Sequence, residues 1–485
     1  MRRVHILTFG CQMNKLDSDL ARAALVRAGH DVVKSPDDAD VLLFNTCAVR
    51  DHAERRVLAR LAQIEARKRA NPGLLVAVMG CLAERRGEAL FSDAPVVDLV
   101  CGTRWFPRLP ELLARAESAP VAAVGDPPDA PFHPEDELPS PDYAGRPAGA
   151  RAFLAVMRGC DNPCAYCVVP SLRGPERSRP AGDVAAEAKA LAARGAREIT
   201  LLGQNIDAYG RELGLSLADL LEILHERVPA DGGLPRLRFV TSHPRDITPR
   251  LARAVRDLPR VGKHFHMPAQ SGSDPVLARM RRGYTRAQYD EKLAMLREEC
   301  PGSAAASDFI VGFPGETDAD FARTLDLVER AGFQNSFIFK YSPRPGTSAA
   351  RDLPDDVPDA VKRERNHLLL AAQDKAARAR TARLAGSATE VLVEGVSPRD
   401  ARRLVGRTLA GDVVVFAPDG IVDDRAGARA AAPPEEALPP ALVAAWTGRL
   451  ARVTIRRATA LTLHGEIVYT GISQNRLSNR PERRL

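Results

Sequence analysis

Three cysteines spaced CxxxCxxC stand in the stretch Arg158-Gly159-Cys160-Asp161-Asn162-Pro163-Cys164-Ala165-Tyr166-Cys167. The apolar run before it, residues 152–157, reads as a strand. The thiols are therefore expected on a loop leaving a strand end, where α/β proteins keep their chemistry. Three thiolates leave one iron of a four-iron cubane open. The amino and carboxylate groups of a methionine moiety can chelate such an iron, which is the arrangement for cleaving S-adenosylmethionine (SAM) reductively. Zinc is the alternative. A structural zinc site wants four ligands, and this loop offers no further Cys or His. A three-ligand catalytic zinc stays open, although a thiolate-only set favours iron–sulfur.

A second set is scattered. Cys11, Cys47 and Cys81 each follow directly on an apolar strand candidate: Val4–Phe9, Val41–Phe44 and Leu74–Met79. If those strands are parallel, their C-terminal ends share one sheet edge and the three thiols converge there. A lone cysteine is often a small buried hydrophobe, but three at one structural position read as ligands of a second cluster with an open iron. Cys101 follows the run 96–100 without the Gly-Cys or Thr-Cys context of the others and reads as a core thiol.

These sets must be positioned by several domains, since the chain has 485 residues, 45% of them hydrophobic, enough for two to four cores. Residues 1–118 alternate strand and helix as a small doubly wound α/β domain. In its first helix Asp17 and Ser18 read as caps. Residues 119–150, crowded with proline, read as an extended linker. Residues 151–380 give six strand candidates, 152–157, 197–202, 236–241, 262–267, 304–311 and 335–340, with helices between them. That pattern predicts a partial (β/α)6 TIM-like barrel. The segments after these strands include Gly203-Gln204-Asn205, Thr241-Ser242-His243-Pro244, Gln270-Ser271 and Gly312 to Gly315. Together they outline a pocket for a polar, nucleoside-bearing cofactor. The helix around 358–384 reads as a solvated connector. Residues 381–471 carry short strands and predict a small all-β barrel studded with Arg399, Arg402, Arg403, Arg407, Arg449, Arg452, Arg456 and Arg457, a grip for RNA phosphates. Within it, 418–446 reads as a disordered insertion, and 472–485 as a mobile basic tail. Net charge is +7 with a pI near 9.1, which suits a polyanionic partner as well as a merely soluble basic surface. No run has the length of a membrane span, and none near the start resembles a secretion signal. Eight cysteines therefore read as metal or redox ligands in a reducing cytosol.

The sequence resembles the methylthiotransferase family of radical SAM enzymes over nearly its whole length. The resemblance is carried by Phe9-Gly10-Cys11-Gln12-Met13-Asn14, Asn45-Thr46-Cys47, Met79-Gly80-Cys81, Cys164-Ala165-Tyr166-Cys167-Val168-Val169-Pro170, and Leu201-Leu202-Gly203-Gln204-Asn205. Gln270-Ser271-Gly272-Ser273-Asp274, the stretch from Ser307 to Thr317, and Arg344-Pro345-Gly346-Thr347 carry it further. Val393-Glu394-Gly395-Val396-Ser397 with Gly406-Arg407-Thr408 is similar to the TRAM domain, an RNA-binding barrel.

The resemblance implies two 4Fe-4S clusters, one on Cys160, Cys164 and Cys167 and an auxiliary one on Cys11, Cys47 and Cys81. It implies SAM held by Gly203, Gln204, Asn205, Gln270, Ser271, Gly312 and Gly315, and substrate contacts at Arg173, Glu176, Arg179 and Arg407. The implied reaction places a methylthio group on adenine carbon 2 of an isopentenylated adenosine beside the tRNA anticodon. One SAM would give the methyl group, another the 5′-deoxyadenosyl radical, and the auxiliary cluster the sulfur. A flavodoxin- or ferredoxin-type electron donor and sulfur-supply and cluster-assembly proteins are the implied partners of a monomeric cytoplasmic enzyme. Ser171-Leu172, Pro175 and Ala410-Gly411 depart from the family pattern without removing a ligand. A threonylcarbamoyl-adenosine of tRNA, or an aspartate of a ribosomal protein, is the alternative substrate. An iron–sulfur RNA-binding sensor is the alternative class.

Overall fold

The computed structural model describes residues 1–47, 51–127, 149–228, 236–418 and 437–468. They fall into two compact units, Met1–Ala377 and Arg378–Leu485.

The first unit opens with a six-stranded parallel sheet. Its order is Asp31–Val32, Arg3–Thr8, Val41–Thr46, Leu75–Gly80, Leu99–Cys101, Val121–Ala123. The central strands Val41–Thr46 and Leu75–Gly80 are buried at every position, as expected of parallel strands covered on both faces. The order reverses between Arg3–Thr8 and Val41–Thr46, the switch point at which doubly wound sheets open a crevice. Helix Asp51–Ala70 covers one face with Val57, Leu61 and Ile64, the spacing read from the sequence.

Two expectations are corrected here. Asp17 and Ser18 do not cap the first helix: Cys11 is the residue before its first turn, and both lie buried inside helix Gln12–Arg27. The domain also extends past residue 118. Val121–Ala123 pairs with Leu99–Cys101 as the edge strand, where the preceding Pro120 costs no ladder bond. The core of the expected linker, 128–148, lies outside the described residues.

Six further parallel strands follow. Arg151–Ala155, Glu198–Leu202 and Arg236–Phe239 form one ladder, and His264–His266, Ala304–Val311 and Asn335–Lys340 the next. Among the described residues the parallel bridge from Leu237 to Val261 joins them. Helices Ala181–Ala193, Leu217–Arg227, Pro249–Asp257, Arg286–Glu299 and Asp318–Ala331 alternate with the strands and share one apolar core with them. The helix Asp359–Ala382 is not solvated all round. Leu369 and Ala372 join that core, and buried Arg365 pairs with Glu316 at 2.8 Å.

The second unit is a closed five-stranded barrel of Ala388–Ser397, Asp400–Thr408, Val413–Ala417, Thr462–Ile467 and Leu450–Ala458. The expected insertion is too long at its C-terminal end. Pro440–Trp446 is a helix whose Leu442, Val443 and Trp446 pack on the barrel core beside Leu438. Residues 419–436 and the basic tail lie outside the described residues. On the barrel Arg399, Arg449, Arg452, Arg456 and Arg457 are exposed. Arg456 also pairs with Glu466 at 2.8 Å; Arg407 pairs with Glu394 at 2.9 Å, and Arg402 and Arg403 with Asp400 at 3.0 and 3.4 Å.

Candidate active site

The scattered cysteines stand at the C-terminal ends of three adjacent parallel strands, on one sheet edge. Cys11 precedes the first turn of helix Gln12–Arg27, and Cys81 begins helix Cys81–Arg86. Helix N-termini stabilise thiolates. A buried amide network stitches the three strand ends together. Asn14 Nδ2 donates to Asn45 Oδ1 at 3.0 Å and to the Thr46 carbonyl at 3.1 Å. Asn45 Nδ2 donates to the Asn14 carbonyl and to Ser18 Oγ, and Thr46 Oγ1 to the Met79 carbonyl at 2.8 Å. The backbones crowd so closely that a β-carbon at Gly10, whose φ is +137°, would lie 2.6 Å from that of Cys47. The Cys47 thiol hydrogen-bonds Cys11, and with the Asn14 backbone and the Arg173 charge this outweighs burial and holds Cys11 down to about 6. Burial pushes the Cys81 thiol up against the pull of Arg173.

The local triad follows Met157–Arg158. Gly159 takes φ +78°, and a β-carbon there would collide with the Pro175 carbonyl oxygen. Each sulfur has its own N–H donor. Asn162 Nδ2 lies 3.4 Å from Cys160, Arg282 Nη1 3.2 Å from Cys164, and the Val169 amide 3.5 Å from Cys167. Burial raises the Cys160 thiol and pushes Cys167 up to about 12, so ligation there must drive off protons. Soft thiolates with N–H donors aimed at the sulfurs are the environment that tunes an iron–sulfur cluster. The residues present fit such a group at both sets. Among the described residues no three His, Cys, Asp or Glu side chains are gathered as a single ion would need.

The loops above the barrel differ in what they offer. Gln204 Oε1 accepts from the Gly159 amide at 2.6 Å, which ties its loop to the cysteine loop. Its Nε2, like Asn205 Oδ1, Asp207 Oδ2 and His243 Nε2, is buried without a protein partner. These orphaned atoms suit a polar ligand. Asn205 is held by Asp246 at 2.9 Å and by Glu176 at 3.3 Å. Gly203 lies against Met157, with no room for a β-carbon. Gln270 adopts φ +71° and bridges to Phe309. Ser271 turns inward to Thr324 at 3.2 Å. The amides of Gly312 and Gly315 are committed to Glu316 and Asp356, so these three residues shape the loops with groups already bonded inside the fold.

Arg173 and Arg179, expected at the substrate, are turned into the fold. Arg173 is buried, 2.6 Å from Asp17, and Arg179 is buried with Glu187 at 2.7 Å and the Ala155 carbonyl at 2.8 Å. Glu176 remains partly exposed beside Arg211. Sequence reasoning passed over Arg282, Asp207 and Asp246. Arg282 donates to Cys164, Tyr166 Oη at 3.3 Å and the Pro268 carbonyl at 2.8 Å. Nothing in Arg281-Arg282-Gly283 distinguishes the buried arginine from its exposed neighbour. Cys101 and Cys300 are buried core thiols.

Residues 3–102 match the model described as Uncharacterized protein family UPF0004, and residues 154–328 that of the Radical SAM superfamily. The tRNA-2-methylthio-N(6)-dimethylallyladenosine synthase of Moorella thermoacetica is 43% identical over 469 residues, covering 96% of this chain and 98% of that protein. The synthase of the same name from Ralstonia nicotianae is 46% identical over 422 residues, 86% of this chain and 90% of its own. Among solved structures, the radical S-adenosylmethionine methyltransferase TsrM from Kitasatospora setae, with cobalamin and a 4Fe-4S cluster bound, shares the fold. Its TM-score is 0.52 at 15% identity, covering 72% of this chain and 77% of that one. With two thiol sets on the two matched regions and relatives this similar over nearly the full length, the chain belongs to the tRNA-2-methylthio-N(6)-dimethylallyladenosine synthase family of radical SAM methylthiotransferases.

Proposed function

We propose that this enzyme places a methylthio group on carbon 2 of N(6)-isopentenyladenosine beside the tRNA anticodon, using two SAM molecules and sulfur from the N-terminal thiol set. The observation that carries the reading is the presence of two three-cysteine sets in one compact unit, each fitted for a cluster with an open iron. When bound, the cluster on Cys160, Cys164 and Cys167 supplies reductive cleavage of SAM, and the one on Cys11, Cys47 and Cys81 supplies sulfur. An aromatic C–H is too weak an acid for a side-chain base, so the task of the protein is positioning and shielding. Asn162, Arg282 and the Val169 amide hold the local sulfurs. Gln204 joins the first barrel loop to the cysteine loop, and the orphaned atoms of Asn205, Asp207 and His243 are directed to polar groups of SAM or base. Exposed arginines of the barrel supply phosphate contacts.

The enzyme is read as cytoplasmic and monomeric, served by a low-potential electron donor and by cluster-assembly proteins. Among the described residues no helix is long and apolar enough to cross a membrane. Anaerobic reconstitution with SAM and reductant, offering isopentenylated and unmodified tRNA together, tests the proposal. Mass spectrometry of the nucleosides is expected to find methylthio addition only on the isopentenylated base. Absence of 5′-deoxyadenosine would defeat the enzyme reading. Addition to threonylcarbamoyl-adenosine or to protein instead would defeat the substrate reading.

A further inference from the structure

Arg173 belongs to neither thiol set, yet it reaches from one to the other. It ends the helix Val169–Arg173, which starts two residues after Cys167. Its guanidinium crosses into the N-terminal layer. Nη1 lies 3.2 Å from Asp17 Oδ1, and Nη2 lies 2.6 Å from Asp17 Oδ2 and 3.3 Å from Cys81 Sγ. Both arginine and aspartate are nearly fully buried. The docking is not made by this side chain alone. Val168 and Leu172 pack on Cys81, and Thr103 Oγ1 donates to the Leu172 carbonyl at 2.8 Å. Arg158, two residues before Cys160, donates to the Thr103 carbonyl at 2.7 Å. Both flanks of the local triad are therefore anchored on the layer that carries the scattered one.

We propose that Arg173 is a positioning residue that couples the two cysteine sets. The inference rests on the proposed clusters. A neutral thiol is a weak acceptor, whereas a metal-bound thiolate accepts a charge-assisted bond roughly twice as strong as a neutral one. Loading the N-terminal set thus tightens the bond from Arg173 to Cys81 and, through the backbone of Arg173, the helix that follows Cys167. In the other direction, the buried cation favours the more negative, reduced state of whatever cluster Cys81 holds. Asp17 fixes the guanidinium and keeps it from standing unpaired when the set is empty, which would otherwise leave a buried charge without compensation.

The test isolates the N-terminal set in the full chain by replacing Cys160, Cys164 and Cys167 with alanine. Hydrogen exchange over residues 168–174 is expected to slow at least about tenfold on reconstitution with iron and sulfide. An EPR-monitored redox titration gives the second readout. Arg173→Met is expected to make reduction of the N-terminal cluster about tenfold less favourable, about 59 mV lower for one electron, and Arg173→Lys to restore most of it. Iron binding by the lysine variant but not by the methionine variant supports the coupling equally. An unchanged potential in a fully loaded Arg173→Met protein overturns it. So does exchange over 168–174 that ignores loading. Failure of the unsubstituted Cys11, Cys47 and Cys81 set to take up iron and sulfide removes the proposed function as well, so the two failures are distinguishable.

Discussion

Arg282 Nη1 stands 3.2 Å from Cys164 Sγ, a buried guanidinium on the middle sulfur of the local triad, with Tyr284 beneath it at 5.3 Å. Among the described residues no carboxylate is bonded to it; its hydrogen bonds run to a thiol, two phenols and a carbonyl. Removing such a partner of a metal ligand costs about 10–100-fold in affinity or activity. Arg282→Met is therefore expected to lower both iron retained by the local triad and the rate of 5′-deoxyadenosine formation within that range. Arg282→Lys should recover part of the loss. Wild-type values for both in the methionine variant would make the contact incidental.

On the proposed function the two sets divide the work. Cys11 lies on the sheet edge, held by Asn14 and Cys47, apart from the donors that serve the local triad. Cys11→Ala should leave SAM cleavage nearly at its wild-type rate while methylthio-nucleoside formation falls below detection. Loss of both, read from the same anaerobic reaction, would end that division.

Asp207 gives a pH signature to the ligand-free protein. Burial, then the charge of Asp246, pushes its carboxyl up to about 7, against hydrogen bonds from Ser242 and the His243 backbone. An unfolded Asp ionises near about 3.9. Between those values the folded chain binds the extra proton, so stability falls as pH rises through the window. At about 1.4 kcal/mol per pKa unit the loss by pH 8 is at most about 4 kcal/mol. Asp207→Asn should melt higher than wild type at pH 8 and match it near pH 4. Equal melting temperatures at pH 8 would remove Asp207 as the source.

The barrel prediction separates charge from packing. Arg399, Arg449, Arg452 and Arg457 are exposed, whereas Arg407 is engaged by Glu394. Changing Arg449, Arg452 and Arg457 to Gln is expected to weaken tRNA binding and to reduce the slope of log affinity against log salt by about one for each phosphate no longer neutralised. Arg407→Gln should change the slope less. A triple variant with the wild-type slope would move the RNA-binding surface off this strand.

The elements that follow from local pattern were legible. Parallel strands buried on both faces read as short apolar runs, and the six barrel strands lie within a few residues of their expected positions. Gly-Cys pairs marked thiols at tight turns because Gly10 and Gly159 stand where a β-carbon has no room. What escaped was side-chain direction across long sequence separations. Asp17 looked like a helix cap because acidic residues favour first turns, yet it faces inward to meet Arg173, 156 residues later. The fate of Arg173, Arg179 and Arg282 was invisible for the same reason: an arginine and its buried partner share no local signal. Val121–Ala123 was hidden among prolines because three residues are too few to show a period.

The amide-stitched sheet edge also has a meaning in time. Cys11, Cys47 and Cys81 are all made before residue 82, and the strands that carry them pair directly with one another. The guanidinium that covers Cys81 is synthesised 92 residues afterwards. All three thiols are thus translated before the residue that covers one of them, and the core that carries their strands is complete only once Leu99–Ala123 has followed.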